Sequence, residues 1–361
     1  MKKIITQLLA FLLFTQLASC QEKQEKNTKM EEEQFSWSEG ISCPLGYPIQ
    51  VYKGSLGFKS LSDRLSTGKY GWGNKGNGMN DRSDWMPRFL NVTWLSFAED
   101  CMYTIETPID HQKLYYLFKK GFDTKEVSGS GKIRHETYDG ICAGFAPGGV
   151  VVVWAVGTGR QTEIGKYQGK KIVIPPSEIA QLDSHESLLF DAKYKKGIMT
   201  SEDVIPKEVQ KAYKNKPIPF GLWDTYRIKY NWKPVFELQN GSILNPKTTY
   251  NIKYVNGEVA EIFNENFPRK EFESNPIPKY LDFSWKAEDG KYYAGNCNLN
   301  EESALAAFKE VYGDYPENIT ADLNIRVNMA NTFFTVKLKG NGKDIFIETE
   351  NLEVFEATIF K

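Results

Sequence analysis

The hydrophobic residues of this chain mostly alternate with polar ones, which is the two-residue period of β-strands. Residues 88–105, with the sequence RFLNVTWLSFAEDCMYTI, fit one long strand or a hairpin of two strands. Residues 250–262 and 280–296 each fit a hairpin, because Asn256-Gly257 and Asp289-Gly290 are the dipeptides that tight hairpin turns favour. The pattern therefore predicts a chain built mainly of antiparallel strands.

An unbroken apolar run extends from Val150 to Val156, directly after the turn sequence Pro147-Gly148-Gly149. The run is far shorter than a membrane-spanning helix, and its length fits a central strand that is buried on both faces.

Three segments show the helical period instead, namely residues 110–120, 200–213 and 301–312. Asp110 and Asn300 are placed to cap the first and third helices, and Gly121 is placed to end the first. Thr200 or Ser201 is expected to cap the second. The predicted fold class is therefore α+β, predominantly antiparallel β-sheet with a few short helices.

The N-terminal segment has a different character from the rest of the chain. An apolar run from Ile4 to Leu17 follows two lysines, which predicts a secretory signal peptide over residues 1–19. The sequence Leu17-Ala18-Ser19-Cys20 resembles the lipobox of bacterial lipoproteins, in which the cysteine carries acyl chains such as palmitate and becomes the mature N-terminus. The alternative is an ordinary signal peptide with an incidental cysteine. Because each buried methylene contributes about 0.8 kcal/mol, two or three acyl chains on Cys20 would anchor the protein to a membrane.

Residues 20–34 form the predicted tether, starting at the acylated Cys20. The segment is rich in Glu and Lys, and Met30 is its only large apolar side chain, so it cannot bury enough surface to fold. Gln21 stands where many inner-membrane lipoproteins have Asp. We therefore expect a cell-envelope protein that is lipid-anchored at the outer membrane, with exposure at the cell surface left open.

Two folded domains are expected after the tether. A β-rich domain at residues 35–270 and a smaller α+β domain at residues 271–361 are separated by a stretch rich in proline and charge. Phe35-Ser-Trp37 and Phe283-Ser-Trp285 look alike, but three residues are too few to define a repeat.

The charge of the chain is nearly balanced. The formal net charge is −1, and removal of residues 1–19 takes away two lysines and leaves −3. Overall charge therefore gives no reason to expect nucleic acid as a partner.

Four cysteines remain after the lipobox: Cys43, Cys101, Cys142 and Cys297. In an oxidising compartment they could form two disulfides, with three pairings that the sequence does not rank. The alternative is buried free thiols, because Cys101 and Cys142 lie in strand-like segments.

No catalytic motif surrounds the histidines of this chain, which are His111, His135 and His185. We therefore expect a protein that is not an enzyme and that needs no cofactor and no resident metal.

The most distinctive polar stretch is a loop rich in glycine and asparagine, lying between aromatic residues. It contains Tyr70, Trp72, Asn74, Asn80, Asp81, Asp84 and Trp85. Its oxygen ligands suit calcium in kind but not in EF-hand order, so an ordinary polar loop is favoured over a calcium site. Its aromatic residues make it the best candidate for an interaction surface, since Trp and Tyr are enriched in protein interfaces. Aromatic packing over a sheet edge is the alternative.

Several short motifs resemble those of Gram-negative lipoproteins grouped as domain-of-unknown-function family 2931. They are Phe35-x-Trp37, Tyr47-Pro48, Trp94-Leu-Ser96-Phe97-x-Glu99, Gly144-Phe-Ala-Pro147-Gly148-Gly149 with Val152 and Trp154, and Tyr230-Asn231-Trp232. The resemblance covers residues 35–265 and supplies no catalytic residue. It implies a lipoprotein, and for some members an immunity role against a toxin.

Taken together, these features predict a membrane-anchored envelope lipoprotein with a non-catalytic role in binding a protein partner. The alternatives are an immunity lipoprotein that neutralises a toxin at the envelope, and a carbohydrate-binding or hydrolytic envelope protein whose aromatic residues stack on sugar rings.

Overall fold

The computed structural model of this chain describes residues 33–76, 82–126, 130–239, 241–262, 270–314 and 316–358. Cys20, the predicted signal peptide and nearly all of the tether lie outside the described residues. Two residues of the predicted interaction loop, Asn80 and Asp81, also lie outside them. The described residues from Phe35 onward belong to one compact unit.

Strands make up 45% of the structure and helices 19%, so the fold is largely β and is consistent with the predicted α+β class. The strands are β1 Phe35–Ser42, β2 Ile49–Leu56, β3 Lys59–Ser60, β4 Leu65–Ser66, β5 Arg82–Asp84, β6 Phe89–Ser96, β7 Cys101–Pro108, β8 Phe122–Lys125, β9 Ile133–Glu136, β10 Gly140–Ala146, β11 Val150–Gly157, β12 Arg160–Gln168, β13 Lys170–Ile172, β14 Tyr230–Glu237, β15 Ile243–Leu244, β16 Tyr250–Tyr254, β17 Val259–Ile262, β18 Glu273–Asn275, β19 Pro278–Lys286, β20 Tyr292–Leu299, β21 Thr320–Val327, β22 Phe334–Gly340, β23 Lys343–Ile347 and β24 Thr349–Glu356. The helices are α1 His111–Lys120, α2 Pro176–Ile179, α3 Ala192–Thr200, α4 Lys207–Tyr213, α5 Leu222–Thr225 and α6 Glu301–Tyr312. None of the helices in the described parts of the chain is both long and apolar enough to cross a membrane.

The strands form three large sheets and one two-stranded sheet. The longest has the order β24-β20-β19-β16-β17-β12-β11-β10-β1-β5, with β15 beside β19. A second sheet has the order β13-β7-β6-β2-β3, with β4 beside β2, and a third has the order β18-β14-β21-β22-β23. The small fourth sheet pairs β8 with β9.

The same arrangement of strands occurs twice along the chain. In residues 35–172, here called the first half, one sheet runs β5-β1-β10-β11-β12 and the facing sheet runs β13-β7-β6-β2. In residues 230–356, the second half, the corresponding orders are β18-β14-β21-β22-β23 and β24-β20-β19-β16. In each half the first strand pairs in parallel with the first strand of its sheet after the long helix, β1 with β10 and β14 with β21, and the remaining neighbours are antiparallel. The chain therefore contains two copies of one fold unit.

The register of the strands confirms this correspondence residue by residue. Trp37 lies opposite the first residue of β5, and Trp232 lies opposite the first residue of β18. Both indole rings are fully buried. Since Phe283-Ser-Trp285 lies in β19 rather than in β14, its likeness to Phe35-Ser-Trp37 does not mark equivalent positions.

The hairpin before each helix repeats an aromatic pair. Trp94 stacks on Tyr103 with ring centroids 5.4 Å apart, and Trp285 stacks on Tyr293 at 5.8 Å. In both hairpins the two residues of the stack are directly opposite each other. These pairs lie at the same place in the two cores.

The two long helices are also equivalent. Asp110 accepts a hydrogen bond from the backbone of Lys113, three residues on, and Asn300 does the same for Ser303. Eight residues after each cap, a buried phenylalanine packs on the first residue of the opening strand: Phe118 on Phe35, and Phe308 on Tyr230. Both predicted caps are confirmed, and the helices at 110–120 and 301–312 are as predicted to within one residue at their starts.

The two halves are joined edge to edge within the longest sheet. Strand β17 of the second half pairs with β12 of the first half, at Val259 and Gln161. Strand pairing also crosses the domain boundary predicted near residue 270, because β14 and β16 pair with β18, β19 and β21 beyond it. The hairpin of β10 and β11 is buried on both faces, since alternate residues face the first core and the second core. The predicted central strand at Val150–Val156 is thus confirmed.

A connecting segment, residues 173–229, links the halves and carries α2 to α5. Its apolar residues, among them Ile174 and Leu189, pack on the outer face of the first half's β2-β6-β7 sheet. The helix predicted at 200–213 is confirmed only over Lys207–Tyr213, which is α4. Residues 201–206 are not helical, because the helix can begin after Pro206 but cannot run through it. Residues 222–225 form the short helix α5.

Candidate functional site

The predicted interaction loop is divided among different surroundings. Trp72 is buried and packs edge-on against Trp154, with ring centroids 5.0 Å apart. Tyr70 is largely exposed, and Trp85 is partly exposed. Trp72 therefore holds the loop against the core and presents little surface to a partner. For this residue the structure agrees with the alternative considered from the sequence, which was aromatic packing over a sheet edge.

Backbone hydrogen bonds hold the same loop where the two halves meet. The amide of Gly73 donates to Ser42 Oγ at 3.0 Å, and Gln161 Nε2 donates to the carbonyls of Gly73 and Gly257 at 2.7 and 2.6 Å. Gly73 and Gly257 both have positive φ, and a Cβ on either would collide with the other. The position of Trp72 is thus set by the joint between the halves.

Trp85 is one of three exposed aromatic residues carried by segments that meet at one end of the first half. We define the aromatic patch as Phe58, Trp85 and Phe89, whose exposed fractions are 84%, 42% and 55%. The amide of Gly57 donates to the carbonyl of Phe89 at 2.9 Å, and Pro87 packs directly against Gly57. These contacts bring the β2–β3 turn, the start of β6 and the segment after β5 together. Phe58 and Phe89 carry no motif, so the sequence offered no sign of them.

A cavity of about 300 Å³ lies in the first half, between β1 and the loop that follows β4. Its walls are residues 40–42, 64–71 and 74–76, and we call it the basic pocket. The described lining includes Arg64, Lys69 and Lys75 but no Asp or Glu. Tyr70 and Asn74 of the predicted loop also line it. The described part of the lining therefore holds no acid pair of the kind that a glycosidase needs.

One wall of the basic pocket rests on a buried charge cluster. The guanidinium of Arg64 donates to the carboxylate of Glu39 and also to the Glu39 carbonyl, the latter at 3.1 Å. Lys59 lies 3.9 Å from the same carboxylate, donates to the carbonyl of Trp37 and lies over its ring. Glu39 and Lys59 are both fully buried. A carboxylate in an apolar strand, with basic residues clustered over 59–75, is the sequence signal that could have indicated this cluster.

Lys75 occupies a groove made by two glycines on neighbouring strands. A Cβ on Gly40 would lie 2.0 Å from Lys75 Cγ, and one on Gly140 would lie 2.8 Å from Lys75 Cδ. The ammonium group donates to Ser38 Oγ. The aliphatic part of Lys75 therefore lies across β1 and β10 only because both positions are glycine.

The described residues of the second half differ from those of the first at the positions that hold this cluster and Lys75. By strand register, the second-half counterparts of Glu39, Gly40 and Gly140 are Pro234, Val235 and Asp322. The connection that carries the pocket in the first half, residues 61–81, is about twice as long as its counterpart, residues 263–272. The fold unit alone therefore does not require the basic pocket.

The predicted calcium ligands that the structure describes are used locally. Asn74 Oδ1 accepts from the amide of Gly76 at 2.9 Å, and Asp84 Oδ1 accepts from the amide of Trp85 at 2.8 Å. Across the described ranges, no group of three or more His, Cys, Asp or Glu side chains is placed to hold a metal ion.

The three histidines lie at three separate places. His135 pairs with Asp123 at 2.8 Å on the exposed two-stranded sheet. His111 Nδ1 lies 3.3 Å from the carbonyl of Pro87, and His185 is on the connecting segment. The structure brings no two of them together.

All four cysteines of the folded part are buried free thiols, so neither of the two disulfides considered from the sequence is formed. Burial raises the pKa of the Cys43 and Cys297 thiols to about 12, and it raises the pKa of Cys142 as well. Such thiols are poor nucleophiles and poor metal ligands at neutral pH.

A second cavity, of about 520 Å³, lies in the second half beside the β19–β20 turn. Its two carboxylates, on Glu288 and Asp289, are neighbours on that exposed turn. They do not face each other across a cleft as a pair of catalytic acids would.

Comparison with known families matches residues 21–221 to the family described as "Protein of unknown function (DUF2931)". The predicted family is thereby confirmed, although the matched segment ends before Tyr230-Asn231-Trp232. It covers the first half and most of the connecting segment, including the aromatic patch and the basic pocket. No curated protein and no solved structure gives a significant match.

Proposed function

Given that this chain belongs to the family described as protein of unknown function (DUF2931), we propose that it is a lipid-anchored envelope protein that binds a protein partner. The aromatic patch of Phe58, Trp85 and Phe89 is the observation that carries the proposal. The patch lies within the segment that matches the family.

Physical chemistry supports this assignment of the patch. Burying an exposed phenylalanine side chain contributes about 1.5–3 kcal/mol, so a partner that covers three aromatic rings gains substantial affinity. Aromatic residues are also enriched at the energetic centres of interfaces. Phe58 lies in a two-residue turn between β2 and β3, where the backbone needs no large apolar side chain. Its exposure is thus easier to explain by binding than by folding.

The anchor is proposed from the lipobox-like sequence that ends at Cys20. Acylation there would confine the folded part to the membrane boundary, and residues 21–34 would act as a polar spacer. Mass spectrometry of the native protein should find a mature chain that starts at an acylated Cys20. An unmodified residue 20 would remove the anchor from the proposal.

Site-specific photo-crosslinking in the native envelope tests the patch. A photo-reactive amino acid at Phe58 or Phe89 should give one dominant protein adduct, which mass spectrometry then identifies. The matched control is Phe346, which is 49% exposed but lies on β23 in the second half. If adducts at Phe58 and Phe89 are no stronger than at Phe346, the patch is not the partner site. A toxin as the adduct would specify an immunity role.

A further inference from the structure

We propose that the basic pocket of the first half is a binding site for a small phosphate-bearing ligand. Among the described residues, the lining carries three basic side chains and no acidic one, in a chain whose formal net charge is −1. Positive charge in the pocket is therefore local and does not reflect the composition of the protein.

The basic groups favour phosphate over carboxylate. Carboxylates are recognised best by the two parallel donors of an arginine, but the guanidinium of Arg64 already binds Glu39. Lys69 and Lys75 remain, and an ammonium group acts as a compact point charge that suits phosphate. The ammonium of Lys75 donates to Ser38 Oγ and retains further donors.

The rest of the lining supplies small polar groups. The amide of Gly71 donates to the carbonyl of Gly68, and a Cβ on Gly68 would lie 2.4 Å from the carbonyl oxygen of Pro44, so the loop that forms this wall is tightly folded. The hydroxyls of Ser66, Thr67 and Tyr70 belong to the same wall. Hydroxyl donors next to lysine are groups with which proteins bind phosphate.

The comparison of the two halves shows that this pocket is an addition to the fold unit. Gly40 and Gly140 make room for Lys75, whereas the second half has Val235 and Asp322 at those positions and still forms the same strands. A glycine within a strand weakens that strand, so two of them over one lysine need a reason beyond folding. Ligand binding supplies that reason.

The size of the cavity indicates the size of the ligand. About 300 Å³ is at the lower end of the range for small-molecule pockets, which fits a phosphate with a small organic group. Such a group can come from a soluble phosphate ester or from a phospholipid headgroup.

Calorimetric titration of the full-length acylated protein in neutral detergent micelles tests the site. Glycerol phosphate, added at constant ionic strength, should give saturable binding that acetate does not reproduce. Lys69→Gln and Lys75→Gln should each weaken binding about tenfold, as expected for loss of one charged hydrogen-bond donor. Lys113→Gln, which removes an exposed lysine on α1, should leave binding unchanged.

A second variant, Gly40→Val, tests the role of Lys75 separately, because it introduces at position 40 the residue found at the equivalent position of the second half, Val235. Gly40→Val should displace Lys75 and weaken binding to the same degree as Lys75→Gln, while the melting temperature reports whether the fold survives. Binding to micelles that contain phosphatidylglycerol is then compared with binding to soluble glycerol phosphate. The comparison shows whether the phosphate ligand is a phospholipid headgroup or a soluble ester. No saturable binding of either, equal binding of acetate, or an equal loss in Lys113→Gln would overturn the proposal.

Discussion

The buried carboxylate of Glu39 should be among the most important single groups for the stability of the first half. It lies between Lys59 and Arg64, with the Lys59 nitrogen 3.9 Å away, and both Glu39 and Lys59 are fully buried. We predict that Glu39→Gln, which keeps the size of the side chain but removes its charge, destabilises the protein strongly. Two cations would then share a buried site without an anion.

The expected magnitude follows from the geometry. At 3.9 Å and an effective dielectric constant of about 20, one ion pair is worth about 4 kcal/mol. Breaking a buried ion pair by removing one partner typically costs about 3–5 kcal/mol, because the remaining charge is left uncompensated. The predicted loss in the free energy of unfolding is therefore about 3–5 kcal/mol.

Glu237→Gln in the second half is the matched control. Glu237 also lies between two cations, with Lys339 at 3.3 Å and Arg326 at 3.7 Å, but its side chain is exposed. Exposed ion pairs are worth at most about 1 kcal/mol, so this variant should lose little stability.

Urea unfolding combined with peptide-level hydrogen exchange is the appropriate assay, since a chain with two fold units need not unfold in one step. Glu39→Gln should lower protection in β1 and β10 first. The reasoning about buried charge is refuted if Glu39→Gln and Glu237→Gln lose the same amount of stability.

Three further predictions follow from the structure. Phe118→Ala and Phe308→Ala should each cost about 3–5 kcal/mol, and hydrogen exchange should show each loss first in its own half, because the two rings fill equivalent places in separate cores. Cys43 and Cys297 should resist maleimide at pH 8 until denaturant is added, since burial raises their pKa to about 12; labelling of the folded protein would contradict this. Burial raises the pKa of Asp282 to about 6, above its unfolded value, so its contribution to stability is present at low pH and is lost as pH rises from about 4 to 6. Asp282→Asn should remove that loss, which is about 3 kcal/mol at about 1.4 kcal/mol per pKa unit, in urea titrations at several pH values.

Local sequence signals predicted the secondary structure correctly where no neighbouring residue acted against them. The hairpin around Asn256-Gly257 is β16–β17, and Asp110 caps α1 as expected. The helix predicted at 200–213 was wrong only over residues 201–206, where the helical period of apolar residues continued across Pro206. A proline ring prevents a helix from running through its position, whatever the hydrophobic pattern.

The duplication could not be predicted, because the two halves share positions and not sequence. Trp37 and Trp232 are equivalent, as are Trp94 and Trp285, but each pair stands among dissimilar neighbours. Packing requires only a large apolar ring at these sites, so other positions were free to diverge. The likeness between Phe35-Ser-Trp37 and Phe283-Ser-Trp285 joins strands that are not equivalent, whereas the equivalent segments, Phe35-Ser-Trp37 and Tyr230-Asn-Trp232, share only an aromatic residue two places before the tryptophan.

The candidate site could be predicted only in part for a related reason. The aromatic residues of the loop drew attention to residues 70–85, yet whether a tryptophan faces the core or the solvent depends on contacts distant in sequence. Trp72 is held inside by Trp154 and Gln161, more than 80 residues further along the chain. Phe58 is exposed and the adjacent Lys59 is buried, which reverses the usual preference of apolar side chains for the interior and of charged ones for solvent. No local pattern in the sequence predicts that reversal.

A duplicated fold provides an internal reference for separating structural residues from functional ones. Where the halves agree, as in the caps of α1 and α6, folding alone explains the residue. Where they differ at matched register, folding tolerates both residues and cannot explain the choice of either. Gly40 is such a position: it faces Lys75, and the second half has Val235 there. The turn that carries the exposed ring of Phe58 is another, since its counterpart is Asn256-Gly257 at the buried joint between the halves. The differences fall within the segment matched by the family, so the first half is where binding should be sought, and the second half completes the sheet that supports it.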